Sequence, residues 1–227
     1  MNRINTFLWY LQNIGFYVHQ MVPCMILTGS LFILVCPLRQ KRLNRLGLSS
    51  GFIRETALLV FVLFMSGLAA LTLFPNNFWS HFMDCLVSNE RFDWRSFYPS
   101  GEYILSRLKH IRDLYRPFEE IKRAFRAGPW FMFLLQGNIG IFLPVGFFVS
   151  LLWRKPSWWR AILVGLFCSC GIEFVQIFAL RRTDVDDILL NTMGALLGHI
   201  LYRVFRAAFP AAALKFQCRP MRRDSNG

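Results

Sequence analysis

Residues 171–199 bring acidic, amide and guanidinium side chains into a part of the chain that is otherwise apolar. Glu173 and Gln176 lie three residues apart, so on a helix they share one face. A carboxylate inside an apolar span is energetically costly, and such residues usually have a function and a polar partner. A desolvated glutamate is also suited to general acid or base catalysis. Glu173 is therefore a candidate catalytic residue.

The polar residues continue into the next segment with helical spacing. Asp184, Asp187 and Asn191 follow one another at i, i+3 and i+7, which places them on one stripe at the start of a helix. Arg181 precedes them, and a guanidinium can bind two phosphate oxygens at once. We predict that Arg181 clamps a phosphate while Asp184 and Asp187 position a substrate hydroxyl, a water or the arginine. Arg182 either helps to bind the substrate or is only a solvated neighbour of Arg181.

A further amide comes from an earlier part of the chain. Asn138 lies nine residues into an apolar span that enters from the same side as Arg181, so it should reach a depth similar to that of Glu173. We predict that Asn138, Gln176 and Asn191 orient the substrate. The ligand that best suits this set of groups is a lipid-linked phosphate or phosphosugar head group.

Structural roles for the same residues stay open. Glu173 can pair with Arg181 and lock the turn between two spans. Asp184 and Asp187 can cap the helix that follows them, because acids favour the positive end of the helix dipole. Asn138 can bond the backbone of its own helix.

The sequence gives little reason to expect a metal or a cofactor, and we expect none. The histidines are scattered, and Cys168-Ser-Cys170 has the wrong spacing for a CxxC redox or zinc motif. Three close carboxylates, Asp184, Asp186 and Asp187, would bind a divalent cation only with further oxygen ligands in a suitable geometry.

The composition shows which elements must hold these residues. Hydrophobic residues make up 55% of the 227-residue chain and charged residues only 17%, against about 25% in soluble domains. Several apolar runs approach the roughly 20 residues of a spanning helix. We therefore predict an all-α integral membrane protein, a helical bundle of about five transmembrane helices. The net charge is +13, and the basic residues cluster beside these apolar runs, as residues that set membrane topology do. This arrangement argues against a nucleic-acid partner.

The order of the spans follows from the apolar runs. Residues 1–20 form either an interfacial helix or the first part of a long first span. The predicted spans are residues 21–38, 56–74, 129–153, 161–180 and 188–205. Basic clusters follow the first, third and fifth of them, so these ends and the C-terminus should be cytoplasmic. Gly194 and Gly198 form a GxxxG pair that lets another helix approach closely.

The long segment between the second and third spans should face outward. Helical spacing there predicts an amphipathic helix, which Pro117 should kink or end. Its apolar stripe consists of Ile104, Leu108, Ile111, Tyr115 and Phe118. The helix either caps the bundle or covers a lipid-facing site. The predicted regions are 1–75 with the N-terminal spans, 76–128 as the outer loop, 129–206 as a three-span core and 207–227 as a basic cytoplasmic tail.

The ordered motifs resemble the VanZ-like family of bacterial membrane proteins over roughly residues 110–203. The resemblance rests on Glu173-x-x-Gln176, Arg181-x-x-Asp184-x-x-Asp187-x-x-x-Asn191, Gly194, Gly198, and Asn138 followed by Pro144-Val-Gly146. Arg116-Pro117-Phe118 resembles a Pro-Phe element of the same family, although Asp113-Leu114-Tyr115 stands where the family usually has an Asn.

This resemblance implies a multi-pass protein of the bacterial cell (inner) membrane, with a link to resistance against the glycopeptide teicoplanin. The family's polar pocket has been likened to those of membrane enzymes that act on lipid phosphate head groups, so a hydrolase or a transferase is the expected class if the protein is an enzyme. Membrane lipids, including lipid-linked cell-wall precursors, are the expected partners. A scaffold or shield that limits antibiotic access is the alternative, and a small transporter is disfavoured because the inner halves of the spans carry few polar groups. The oligomeric state stays open.

Overall fold

Long apolar helices account for most of the structure. The computed structural model describes residues 3–75, 77–109, 118–127, 129–178 and 185–220. In chain order the helices are α1 (Arg3–Arg45), α2 (Phe52–Leu73), α3 (Phe78–Ser88), α4 (Gly101–Lys109), α5 (Glu119–Ala127), α6 (Pro129–Leu152), α7 (Trp158–Phe178), α8 (Val185–Ala208) and α9 (Pro210–Lys215). Five of these, α1, α2, α6, α7 and α8, are long and apolar enough to cross a membrane. The predicted all-α membrane bundle is confirmed.

The first span is one continuous helix that is longer than predicted. Helix α1 runs without a break from Arg3 through to Arg45, and its part long and apolar enough to cross a membrane is Val18–Arg45. It packs mainly on α2, where the Thr28 and Ser66 hydroxyls lie 2.9 Å apart. The helix continues beyond the predicted end of the span at residue 38, and Arg39 forms an ion pair with Glu55 of α2.

Helices α6 and α8 form the closest pair in the bundle. Gly194 and Gly198 of α8 face backbone carbonyls of α6, and a methyl carbon added at either glycine would overlap them. Gly146 of α6 faces the backbone of Ala195 in the same way. Small residues allow this approach, and helix association in a membrane depends on such packing because lipid tails are as apolar as the side chains. The expected packing role of the GxxxG pair is confirmed.

Helix α2 packs against the other face of this pair. Leu68 of α2 is buried in a cluster with Phe142, Val145 and Val149 of α6. Helix α7 completes the bundle through Gly165, which lies against Ala195 of α8. The last turns of α2 and α7 and the first turns of α6 and α8 therefore meet at one end of the bundle.

The segment between α2 and α6 differs from the prediction. Helix α4 contains Ile104 and Leu108, whereas Ile111, Tyr115 and Pro117 lie outside the described residues. Phe118 has a positive φ of 66° and directly precedes α5, so it does not continue the stripe of α4. The described part of this segment also contains α3, α5 and a 3₁₀ helix at Trp94–Phe97, and the sequence pattern predicted none of them.

The C-terminal segment folds back onto the connection between α1 and α2. Strand β1 (Leu48–Ser49) pairs antiparallel with β2 (Arg219–Pro220), with Leu48 opposite Pro220. The ends of α1, α6 and α8 and the start of α2 therefore gather at one end of the bundle, which we call the basic end. The meeting point of Thr72, Asn138, Gln176 and Asp187 lies at the opposite end, which we call the cavity end.

Candidate functional site

One buried stripe of α7 changes from small to polar residues along the helix. Ala161, Gly165 and Ser169 come first, and Glu173 and Gln176 follow at spacings of four and three. The small residues let α8 pack closely, whereas the polar residues lie at the cavity end. Glu173 is only 3% exposed and Gln176 8%. These two side chains therefore face the inside of the bundle and not the lipid.

Helix α8 contributes its first two turns to the same region. Asp187 and Asn191 lie one turn apart, so they share a face of the helix. The buried Asn191 Nδ2 donates to Ser169 Oγ of α7 at 2.9 Å. This hydrogen bond fixes the orientation of the Asn191 amide and joins α7 to α8.

Asn138 connects α6 to α8. Its Nδ2 donates to the Asp187 carboxylate, which lies in the first turn of α8. The alternative in which Asn138 bonds only the backbone of its own helix is therefore wrong. The fifth predicted span begins at residue 188, whereas α8 already includes Val185 and places Asp187 within the helix.

Gln176 connects α7 to α2. Its Nε2 donates to the backbone carbonyl of Thr72 at 3.3 Å. Thr72 lies in the last turn of α2, where carbonyl groups have no partner within the helix. The Gln176 amide therefore satisfies one of these carbonyls and holds the two helix ends together.

These side chains line a single cavity of about 400 Å³. The polar part of its wall consists of Asn138, Glu173, Gln176, Asp187 and Asn191. Leu68, Ile141, Phe142 and Ile172 form an apolar part, and Thr72 completes the lining. Binding sites for small molecules commonly combine a mostly apolar wall with a few convergent polar groups, in volumes of roughly 300–1,000 Å³.

Five of the eight predicted site residues thus meet in one place. Arg181, Arg182 and Asp184 lie outside the described residues, and so does the predicted pairing of Glu173 with Arg181. The described wall of the cavity carries the Glu173 and Asp187 carboxylates and no basic side chain. An anionic ligand would therefore depend on a cation from beyond the described residues, and the two arginines are next to the end of α7 in sequence.

Asp186 has a role that the sequence did not reveal. It is fully buried, and its two carboxylate oxygens accept hydrogen bonds from Phe118 N at 2.5 Å and Ile121 N at 3.1 Å. These amides lie at the start of α5, so Asp186 caps a helix that is distant in sequence. Of the three close carboxylates, Asp186 is directed at α5, and Asp184 lies outside the described residues.

Two other residues that belong to this site, Ser169 and Thr72, were not identified from the sequence, and the reasons differ. Ser169 lies one helical turn before Glu173, and this spacing could have identified it as part of the polar stripe. Thr72 is on the second span, 104 residues from Gln176, and no local pattern connects the two residues. Only the packing of α2 against α7 shows that Thr72 lines the cavity.

The fold and the cavity define a multi-pass helical membrane protein with a polar site inside the bundle. Residues 24–206 match the VanZ/LLP1 family, and the chain belongs to this family. The match extends well beyond the C-terminal half that carries the motifs. The chain is also 33% identical over 66 residues to Protein VanZ of Enterococcus faecium, and this alignment covers 29% of the chain and 41% of that protein. No solved structure gives a significant match.

Proposed function

We propose that the protein binds the phosphate-bearing head group of a membrane lipid at the outer leaflet of the bacterial cell membrane and catalyses hydrolysis or transfer at that head group. The observation that carries this proposal is the convergence of five polar side chains from three helices on one cavity. Polar groups within an apolar bundle are costly and are typically retained for function.

The position of the cavity supports a lipid head group as the ligand. The positive-inside rule assigns the basic end to the cytoplasm, so the cavity end faces the outer leaflet and the C-terminus is cytoplasmic. A cavity of about 400 Å³ at this depth has room for a phosphate or phosphosugar head group while the lipid tail stays in the bilayer.

Each polar residue has a role in this proposal. Arg181 binds the phosphate and Arg182 assists it, because the described wall of the cavity supplies no cation of its own. Glu173 accepts a proton from the attacking water or hydroxyl, or donates one to the leaving oxygen. Asp187, which already bonds Asn138, positions the nucleophile together with Asp184. The three amides, Asn138, Gln176 and Asn191, orient the head group.

Family membership connects this proposal to antibiotic resistance. A protein that modifies lipid-linked cell-wall precursors changes the material on which teicoplanin acts. We therefore propose low-level teicoplanin resistance as the cellular phenotype and lipid-linked precursors as the substrate class.

The test is the profile of lipid-linked phosphates in a teicoplanin-susceptible bacterium that expresses the protein. Wild type is compared with Glu173→Gln at matched membrane levels, and the exposed Glu102→Gln serves as a control outside the cavity. We expect one lipid-linked species to change with wild type and with Glu102→Gln, but not with Glu173→Gln. Identical profiles for all three proteins would contradict the catalytic proposal.

A non-enzymatic scaffold is the second candidate, and the hydrogen bonds between helices favour it. The bonds of Asn138 to Asp187, of Asn191 to Ser169 and of Gln176 to the α2 backbone connect four helices. A purely structural cluster predicts that Glu173→Gln lowers protein abundance and resistance together. The catalytic proposal predicts loss of resistance at normal abundance, so membrane immunoblots beside the resistance assay separate the two.

A further inference from the structure

The basic end of the bundle contains an apolar groove that the proposed function does not use. The groove has a volume of about 470 Å³ and runs along α2, α6 and α8. Its wall includes Ile53 and Val60 of α2, Phe148 and Leu151 of α6, and Phe205 of α8. From Ile53 to Val60 the groove follows about 10 Å of helix, at 1.5 Å per residue. This length and its apolar wall suit the upper part of a lipid acyl chain.

A second cavity of about 410 Å³ adjoins the groove and has a different character. It is lined by Ser49, Ser50 and Gly51 before α2, and by Lys215 and Arg219 of the C-terminal segment. Phe52 and Ile53 line both spaces, so the groove and this basic pocket are neighbours. An apolar groove beside a cationic pocket matches the division of a phospholipid into tail and head group.

The fold places the two cations at this pocket. Strand β2 pairs with β1, and the Ser49 hydroxyl donates to the backbone carbonyl of Arg219 at 3.4 Å. Lys215 ends α9, a few residues before that strand. Both side chains are exposed and available to an anion.

The charge of the pocket depends on the residues that line its described part. Its described lining contains no carboxylate. The nearest acid along the chain, Glu55, forms an ion pair with Arg39 and accepts a hydrogen bond from the Ser50 hydroxyl. The described lining of the pocket therefore carries a net positive charge, from Lys215 and Arg219.

We propose that an anionic phospholipid of the bilayer binds at the basic end, with its phosphate between Lys215 and Arg219 and one acyl chain in the apolar groove. Charge complementarity selects an anionic head group, and the groove selects a lipid over a free phosphate. Ile53 at this site and Thr72 at the cavity end are 19 residues apart on α2, which corresponds to about 28 Å. The two sites therefore serve opposite leaflets and can be tested separately.

The test measures lipid binding to the purified full chain by native mass spectrometry, with phosphatidylglycerol as the anionic probe and phosphatidylcholine as the zwitterionic one. We expect wild type to prefer phosphatidylglycerol. Removing both cations with Lys215→Gln and Arg219→Gln should weaken phosphatidylglycerol binding about 25-fold, at about fivefold for each basic residue near a membrane surface.

The matched control is Arg154→Gln with Lys155→Gln, which removes the same charge from the α6–α7 loop, outside both spaces. Control affinity within about twofold of wild type supports a defined site. An equal loss in both double variants would overturn the proposal, because it would show that total charge alone attracts the lipid. Equal binding of the two lipids to wild type would overturn it as well.

The groove is tested through Thr56, an exposed residue of its wall. Thr56→Trp fills the groove and should weaken binding of long-chain phosphatidylglycerol at least tenfold, while circular dichroism reports the helix content. A folded Thr56→Trp variant with wild-type affinity would contradict the assignment of the acyl chain, and tight binding of glycerol phosphate alone would show that the pocket takes a free anion.

Discussion

Replacement of Gly198 by Ala tests the contact that positions the α8 side chains. A Cβ at this residue would overlap the Leu143 carbonyl and lie 2.7 Å from the Phe147 amide nitrogen. Ordinary van der Waals contact begins at 3.4 Å, so the second overlap alone is about 0.7 Å. Both atoms belong to the α6 backbone, and neither can rotate away. The two helices must therefore separate.

The overlap at Gly198 sets the expected loss in the free energy of unfolding. Overpacking of a close contact costs about 1–3 kcal/mol, and separation of α6 from α8 also weakens the dispersion contacts on either side. We expect Gly198→Ala to lower the free energy of unfolding by about 2–3 kcal/mol. Gly140→Ala is the matched control, because it makes the same change in a span where a Cβ meets nothing within 4 Å. The control should be neutral or slightly stabilising, since Ala favours helix over Gly.

Unfolding in bicelles, monitored by steric trapping or by a denaturing-detergent titration, gives both free energies. Gly198 is 11 residues from Asp187, about 16 Å along α8, so it does not touch the cavity. Helix separation should nevertheless displace Asp187 from Asn138 and reduce function. A Gly198→Ala protein as stable as the Gly140→Ala control would refute the close packing of α6 and α8.

Two hydrogen-bonded contacts give further predictions. Asp186→Asn replaces a carboxylate that caps α5, and we expect amide exchange at Phe118 and Ile121 to become about tenfold faster, as measured by hydrogen exchange, with exchange in the middle of α8 unchanged. A double-mutant cycle of Ser169→Ala and Asn191→Leu should give a coupling energy of about 0.6 kcal/mol, with about 1.7 kcal/mol as the upper limit for such bonds in membranes. Zero coupling would show that this bond does not hold α7 to α8.

Local periodicity was enough to predict the spans and the polar stripe. Hydropathy over windows of span length identified all five long helices, because a membrane imposes both a minimum length and an apolar composition. Helical spacing likewise placed Glu173 with Gln176 and Asp187 with Asn191, and all four line the cavity. The position of Asn138, nine residues into its span, correctly predicted that it lies in the same region.

Contacts between distant segments could not be predicted in this way. Asp186 caps α5 across 68 residues and Gln176 reaches α2 across 104, and such contacts leave no periodic signal in the sequence. The prediction that Phe118 continues the apolar stripe of an amphipathic helix was wrong for a different reason. Apolar spacing shows which face of a helix would be buried, but it does not show that the backbone stays helical, and at Phe118 the φ angle is positive.

The most direct measurement is the affinity of the purified protein for a polyprenyl phosphate compared with the uncharged polyprenol, both in nanodiscs. We expect wild type to prefer the phosphate and Arg181→Ala to lose most of this preference. Glu173→Gln should still bind the phosphate but leave the lipid unchanged. Charge-assisted bonds from arginine are worth about 1.5–3 kcal/mol, so the loss in Arg181→Ala should be about 10- to 100-fold. Equal affinity of wild type for both lipids would contradict the claim that the cavity recognises a phosphate head group.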